Sequence, residues 1–217
     1  MLREREVKIH GNFDSFTCTW YGTDELLFNH KRSDKGNGDY RSGRRGRQTV
    51  QVYRQPRLKP VAVLLTHGHF DHMMAVPEVT KKYGIKAYAH EDEAEVMVSP
   101  YLNGCEMIGA RVSVKPDDVF ADKARLVFGD MLFEVIFTPG HTQGGVCFYM
   151  PQVKKLLCGD TLFEASVGRT DLPTGSMSTL IRSIRERLFV LDDDVEALPG
   201  HGPSTTIGYE KKYNPFL

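Results

Sequence analysis

From about residue 58 onward the chain alternates short apolar runs with stretches of helical spacing. Val61-Ala62-Val63-Leu64-Leu65 is a continuous apolar run of strand length and reads as a buried strand. Val76, Val79 and Tyr83 then recur at helical spacing, with Pro77 suited to a first turn and Gly84 to a C-terminal stop. Residues 85–89 read as a strand, and Glu91 to Val98 as a short helix closed by Pro100. Residues 125–127 and 132–137 read as a hairpin turning at Gly129-Asp130, and residues 146–150 and 156–158 as the next strand pair. Leu180, Ile181, Ile184 and Leu188 form one apolar helix face, capped by Ser176 or Ser178. Residues 195–198 are a last short strand. Hairpins combined with strand-helix-strand units predict an α+β fold of mixed sheets with helices on the outer faces.

Residues 29–57 break this pattern. No aliphatic residue occurs from Asn29 to Thr49, and residues 31–59 hold ten Lys or Arg against two Asp. Such a segment has little to bury and reads as a solvated loop. Only Tyr40 and Tyr53 could stack on bases there, so a nucleic-acid role is the weaker reading. Over the whole chain of 217 residues, 28 basic and 28 acidic residues balance, which argues against binding nucleic acid through overall charge. A chain of this length with 41% hydrophobic residues can build one ordinary core. No run approaches the roughly 18 apolar residues of a membrane span. The first residues, Met1-Leu2-Arg3-Glu4-Arg5-Glu6, contain no apolar run of the secretory kind. Cys18, Cys105, Cys147 and Cys158 are widely spaced and read as reduced thiols, which predicts a cytoplasmic protein.

The chemistry concentrates at strand ends. Directly after the strand at 61–65 comes Thr66-His67-Gly68-His69-Phe70-Asp71-His72. Three imidazoles and a carboxylate in six residues are borderline ligands suited to zinc, and also to iron or manganese. In a turn, His67 and His69 can face one position while Asp71 and His72 face a neighbouring one. Three further strands end in the same manner, at Pro139-Gly140-His141, at Gly159-Asp160 and at Pro199-Gly200-His201. Loops at the ends of strands are where sheet-based enzymes place functional groups. Two cations about 3.5–4 Å apart can share a water and lower its pKa, so the expected chemistry is hydrolysis by a metal-bridged hydroxide. Asp160 is the natural bridging carboxylate, and Asp71 can orient the hydroxide or pass its proton. The competing device, a nucleophilic serine in a GxSxG elbow, is not in the sequence. Cys158 shares a strand face with Asp160 by two-residue periodicity, but a core thiol is the simpler reading. Met73 and Met74 could narrow a pocket or fill core.

These residues resemble the metallo-β-lactamase superfamily, and within it the short glyoxalase II-like (hydroxyacylglutathione hydrolase-like) proteins. The resemblance rests on the HxHxDH run, on Thr138-Pro139-Gly140-His141-Thr142, on Gly159-Asp160-Thr161-Leu162-Phe163, on Gly168-Arg169-Thr170-Asp171-Leu172-Pro173 and on Pro199-Gly200-His201-Gly202-Pro203 with the segment running to Leu217, and covers residues 58–217. It implies an αββα sandwich with a metal site at one edge of its two sheets, within a single domain over residues 1–217. His67, His69 and His141 would hold one cation, and Asp71, His72 and His201 a second, with Asp160 bridging. Asp rather than Cys at the bridging position points to a thioester such as a hydroxyacyl-glutathione, with Arg169 the basic candidate for a substrate carboxylate. On this reading a C-terminal helical glutathione-binding domain is not expected, and Leu26-Leu27-Phe28 is not followed by an Asp-Pro-Gly element. The same motifs also fit a persulfide dioxygenase-like oxidoreductase with a single iron, and a nucleic-acid-processing metallohydrolase.

Overall fold

The computed structural model describes residues 4–9, 16–21, 25–31, 58–128 and 131–217, with side-chain surroundings from Pro60 onward. Two six-stranded mixed sheets make up the fold. The first contains β1 (Glu4–Ile9), β2 (Phe16–Tyr21), β3 (Glu25–Lys31), β4 (Leu58–Leu64), β5 (Lys86–His90) and β6 (Asp118–Phe120), in that spatial order. Strands β1 to β4 pair antiparallel, whereas β4, β5 and β6 are parallel. The second sheet contains β7 (Arg125–Phe128), β8 (Met131–Phe137), β9 (Val146–Met150), β10 (Lys155–Gly159), β13 (Glu196–Pro199) and β14 (Thr205–Thr206). A small hairpin, β11 (Leu162–Phe163) with β12 (Ser166–Val167), stands apart. The helices are α1 (Phe70–Met73), α2 (Val76–Tyr83), α3 (Ala94–Val98), α4 (Met177–Ser183) and α5 (Ile207–Tyr213).

The two-residue period of the strands explains the layering. Ala62 and Leu64 of β4 face inward with Phe133, Val135, Val146, Phe148, Leu157 and Leu198 of the second sheet, forming the core between sheets. Val63 and Leu65 point the other way and pack with Val76 and Val79 of α2 and with Met73 and Met97. On the opposite outer face Cys147, Leu156, Cys158 and Ala197 pack under Leu180, Ile184, Leu188 and Ile207. The result is helix, sheet, sheet, helix, the expected αββα sandwich. Cys158 is a core thiol whose Sγ donates to the Leu162 carbonyl at 3.2 Å. Met73 is core filler, while Met74 is half exposed. Cys105, Cys147 and Cys158 form no disulfide. Among the described residues no helix is long and apolar enough to cross a membrane.

Most expected elements occur within a residue or two of their sequence limits. Gly84 closes α2 in the left-handed conformation, and Ser176 caps α4 by accepting from the Thr179 amide. The segment read as one helix over 91–98 is a 3₁₀ turn (Glu91–Glu93) running into α3. The face read at 180, 181, 184 and 188 is corrected at Ile181, which is half-buried while Ser183 is buried. Helix α4 widens into a π turn over Ile184–Leu188, so residues four apart stay in line and Ile181 moves to the flank. The paired strands β7 and β8 bear out the hairpin, whose turn residues Gly129 and Asp130 lie outside the described residues.

The expected loop at 29–57 also starts too early. Asn29, His30 and Lys31 complete β3 and pair with Pro60, Lys59 and Leu58. A ladder of backbone hydrogen bonds needs no aliphatic side chain, which is why composition missed it. The rest of that segment, residues 32–57, lies outside the described residues. Because Lys31 and Leu58 are already paired, an Asn-Gly dipeptide in place of residues 32–57 would close a two-residue hairpin. The shortened protein is expected to stay monodisperse, with an unchanged circular dichroism spectrum. Aggregation on size exclusion would show that the segment contributes to the fold.

Candidate metal centre

The ligand-type residues sit at the ends of four strands. Strand β4 of the first sheet runs into Thr66–His72; β8, β10 and β13 of the second sheet all run in one direction and end at His141, Asp160 and His201. The two sheets are joined at this edge, where the Val146 amide donates to the Thr66 carbonyl at 2.9 Å. The 138–141 turn is seated against α4: Ser183 Oγ donates to the Pro139 carbonyl at 2.7 Å and the Ser176 amide to the Gly140 carbonyl at 2.8 Å. Gly140 has φ of +134°, and a Cβ there would overlap the Leu180 backbone. Only glycine fits so close a turn.

The seven residues singled out as ligands come together as three overlapping groups, His67 with His69 and His141, His67 with His72 and Asp160, and Asp71 with His72 and His201. His141 Nε2 lies 2.9 Å from His69 Nδ1 and 3.2 Å from His67 Nε2. Asp160 Oδ2 lies 3.7 Å from His141 Nε2, 3.7 Å from His201 Nε2 and 3.9 Å from His72 Nε2, between the two ends. Asp71 Oδ2 is 3.5 Å from both His72 Nε2 and His201 Nε2. The three-imidazole end is buried, whereas the His201 side chain is 46% and Asp71 37% exposed, so the centre opens on that side.

The donor set fits a cation. Arg169 O can only accept, so His141 Nδ1 donates to it at 2.7 Å and Nε2 carries the lone pair. Two more ring nitrogens crowd that lone pair. A single lone pair accepts one good hydrogen bond, so two ring nitrogens cannot both be well matched to it by protons, whereas a cation among the three suits all of them. Burial, reinforced by His141 and His72, lowers the His69 pKa to about 3, which keeps the ring neutral as a ligand requires. Burial works against ionisation of Asp71, but the hydrogen bond from His201, with His72 and His67 nearby, outweighs it and holds the carboxyl below the usual range. Fold and donor set together imply divalent metal binding.

Two supports were not legible in the residue pattern. The first is the Arg169 backbone. Its guanidinium, read as a candidate for substrate, is bonded by both oxygens of Asp171 at 2.7 Å, while its carbonyl holds His141. The second is Glu93, fully buried, whose carboxyl is pushed up to about 7 by burial despite donors from Gly68, Thr142 and Gly144.

Proton linkage follows from these shifts. A histidine lowered from 6.5 to about 3 stabilises the fold above 6.5 and loses that contribution as the pH falls toward 3. Glu93 has the opposite sign between 4.5 and about 7, because there the unfolded chain releases a proton that the fold retains. Below 4.5 the first effect remains, joined by Asp171, lowered to about 2 through its bond to Arg169, and by Asp71 and Asp122, whose carboxyls are also held low by their hydrogen bonds from His201 and Arg187. The urea midpoint of chelator-treated protein is therefore expected to fall steadily from pH 4.5 to 3. A flat midpoint there would mean that neither His69 nor these carboxyls are held low in the fold.

Comparison with known proteins agrees with this geometry. A family model described as the metallo-beta-lactamase superfamily matches residues 43–201. The chain is 40% identical over 177 residues to the probable metallo-hydrolase YqgX of Bacillus subtilis, covering 81% of this chain and 84% of that one. It is 34% identical over 178 residues, with the same coverage, to the hydroxyacylglutathione hydrolase GloC of Haemophilus influenzae. Among solved structures, the BLEG-1 B3 metallo-beta-lactamase superposes with a TM-score of 0.78 at 30% identity, over 99% of both chains. TTHA1623 in a di-iron-bound form superposes with a TM-score of 0.72 at 28% identity, over 98% of this chain and 100% of that one. With the strand-end ligands, the two-sheet sandwich and the family match in agreement, the chain belongs to the metallo-beta-lactamase superfamily, as a metallo-hydrolase.

Proposed function

We propose that this protein is a cytoplasmic hydrolase of a small-molecule thioester, of the hydroxyacyl-glutathione type. The observation that carries the two-cation reading is the placement of Asp160 Oδ2, within 3.7–3.9 Å of His141, His72 and His201 and so between both ends of the cluster. His67, His69 and His141 would hold one cation and Asp71, His72 and His201 the other, with Asp160 shared. Zinc suits this donor set, as do iron and manganese. Two such ions, when bound, polarise a carbonyl and bring the pKa of a shared water toward neutrality. The second group offers donors for a second cation, beyond the three-imidazole end that a single-iron oxidoreductase would use. A thioester, rather than another acyl compound, is supported by the likeness to GloC and by Asp at position 160.

The chain's own residues divide the remaining work. Asp71, ionised and partly open to solvent, orients the attacking water and takes its proton at a carboxylate oxygen. His141 is kept in the required tautomer by the Arg169 carbonyl. The Arg169 guanidinium at the rim can exchange Asp171 for a substrate carboxylate.

Elemental analysis of protein purified without chelators is expected to find about two divalent cations per chain. A panel of hydroxyacyl-glutathione thioesters, with a β-lactam for comparison, then tests the substrate class. Turnover of the β-lactam alone would overturn the thioester reading. One iron per chain with oxygen consumption would overturn hydrolysis altogether. Asp160→Ala is expected to keep the circular dichroism spectrum while kcat/KM falls more than about 100-fold; an active variant would remove the bridging role. Arg169→Ala keeps the backbone carbonyl on His141, so KM is expected to rise with kcat little changed. An unaltered KM would assign Arg169 to its ion pair alone.

A further inference from the structure

We infer that Glu93 is a positioning residue for the three-imidazole end of the centre. One carboxylate sets the gap between the loop that carries His67 and His69 and the loop that carries His141. This deepens the metallohydrolase reading and rests on it. Glu93 closes the 3₁₀ turn after β5, and its hydrogen bonds run to residues beside the ligand-type histidines. Its Oε1 accepts the Gly68 amide at 2.6 Å, and Gly68 lies between His67 and His69. Its Oε2 accepts Thr142 Oγ1 at 3.0 Å and the Gly144 amide at 2.8 Å, just beyond His141.

The two loops hang from different sheets, so nothing in either sheet's own ladder sets the distance between their imidazoles. Glu93 spans that gap with both ends of one rigid, planar group. Neighbouring contacts keep its turn in place. Gln143 Nε2 donates to the Asp92 carbonyl at 3.0 Å and to Glu95 Oε2 at 3.3 Å. The Gly144 backbone lies so close to Glu93 that a Cβ would overlap it. The ring of His90, the residue just before this turn, stacks on Phe137 at 4.4 Å, next to the 138–141 turn. Charge matters as well as shape, because all three groups facing the carboxylate are donors. An amide of the same size offers one acceptor oxygen and turns an N–H toward donors on the other side. A buried donor left unmatched in this way costs more than the hydrogen bond was worth.

Glu93→Gln tests the assignment because it keeps volume and removes the double acceptor. Zinc affinity is read by chelator competition, and cobalt(II) absorption reports the geometry at each position. Val135→Ala, in the core between the sheets, serves as a destabilised control whose ligand loops are intact. In Glu93→Gln the three-imidazole position is expected to bind zinc about 10–100-fold more weakly, with an altered cobalt spectrum. The position formed by Asp71, His72 and His201 is expected to change far less, and Val135→Ala to lower the unfolding midpoint while leaving both affinities unchanged. Should Glu93→Gln fail to fold, Thr142→Val removes one of the three donors and is expected to show a smaller loss in the same direction. Wild-type affinities and spectrum in the Gln variant, or in the Val variant if it stands in, would make Glu93 a purely structural buried acid. A wild-type protein that binds no metal would overturn the metallohydrolase reading itself, a result distinct from either.

Discussion

The approach of three imidazole nitrogens from two different sheets, 2.9 and 3.2 Å apart about His141 Nε2, is the contact on which the rest of this structure depends. Neutral rings with lone pairs so close together repel one another at short range, and burial removes the water that could separate them. Holding such a cluster needs rigid surroundings. The protein supplies them from several sides: the Arg169 carbonyl behind His141, α4 under the 138–141 turn, and the buried carboxylate of Glu93 between the loops. A positive charge at the centre turns that crowding into attraction, which is why the donor geometry and the fold's hydrolytic chemistry belong together.

The two ends of the centre have different surroundings. His67, His69, His72 and His141 are nearly inaccessible, while Asp71 and His201 are part-exposed. The closed end is fixed by packing and hydrogen bonds. The open end relies on residues whose own support is lighter, with His201 following a strand of only four residues. The accessible side of the centre is therefore the one formed by Asp71 and His201.

Much of this was legible in the residue pattern because ligands and strand ends coincide. The apolar run at 61–65, the hairpin strands and the final short strand located β4, β8, β10 and β13, and each is followed by a ligand-type residue. All seven expected ligands lie in the three groups. Most of what was not legible has a physical reason. Strand β1 and the end of β3 are held by backbone pairing, which leaves little trace in polar sequence, whereas β2, with Phe16, Thr17, Thr19, Trp20 and Tyr21, has a strand-like composition that the reading passed over. Helix α5 is only seven residues long and is capped by Thr206, a weak signal by itself. Glu93 stood among acidic residues at the start of a segment that read as a short helix; only tertiary packing shows that it alone of them is buried. The support from Arg169 comes through a peptide carbonyl, to which the identity of the side chain contributes nothing.

The spread of the ligands along the chain has a consequence for how the molecule matures. The first group ends at His72, but His141, Asp160 and His201 belong to the second sheet and reach back almost to the C-terminal helix. A complete donor set exists only after both sheets have formed and docked, and contacts of such long sequence separation are slow to form. In a zinc finger the ion templates folding from a local loop. Here the isolated HxHxDH turn carries only part of the donor set, so an ion held by all seven residues would enter a nearly finished sandwich and join its two halves late.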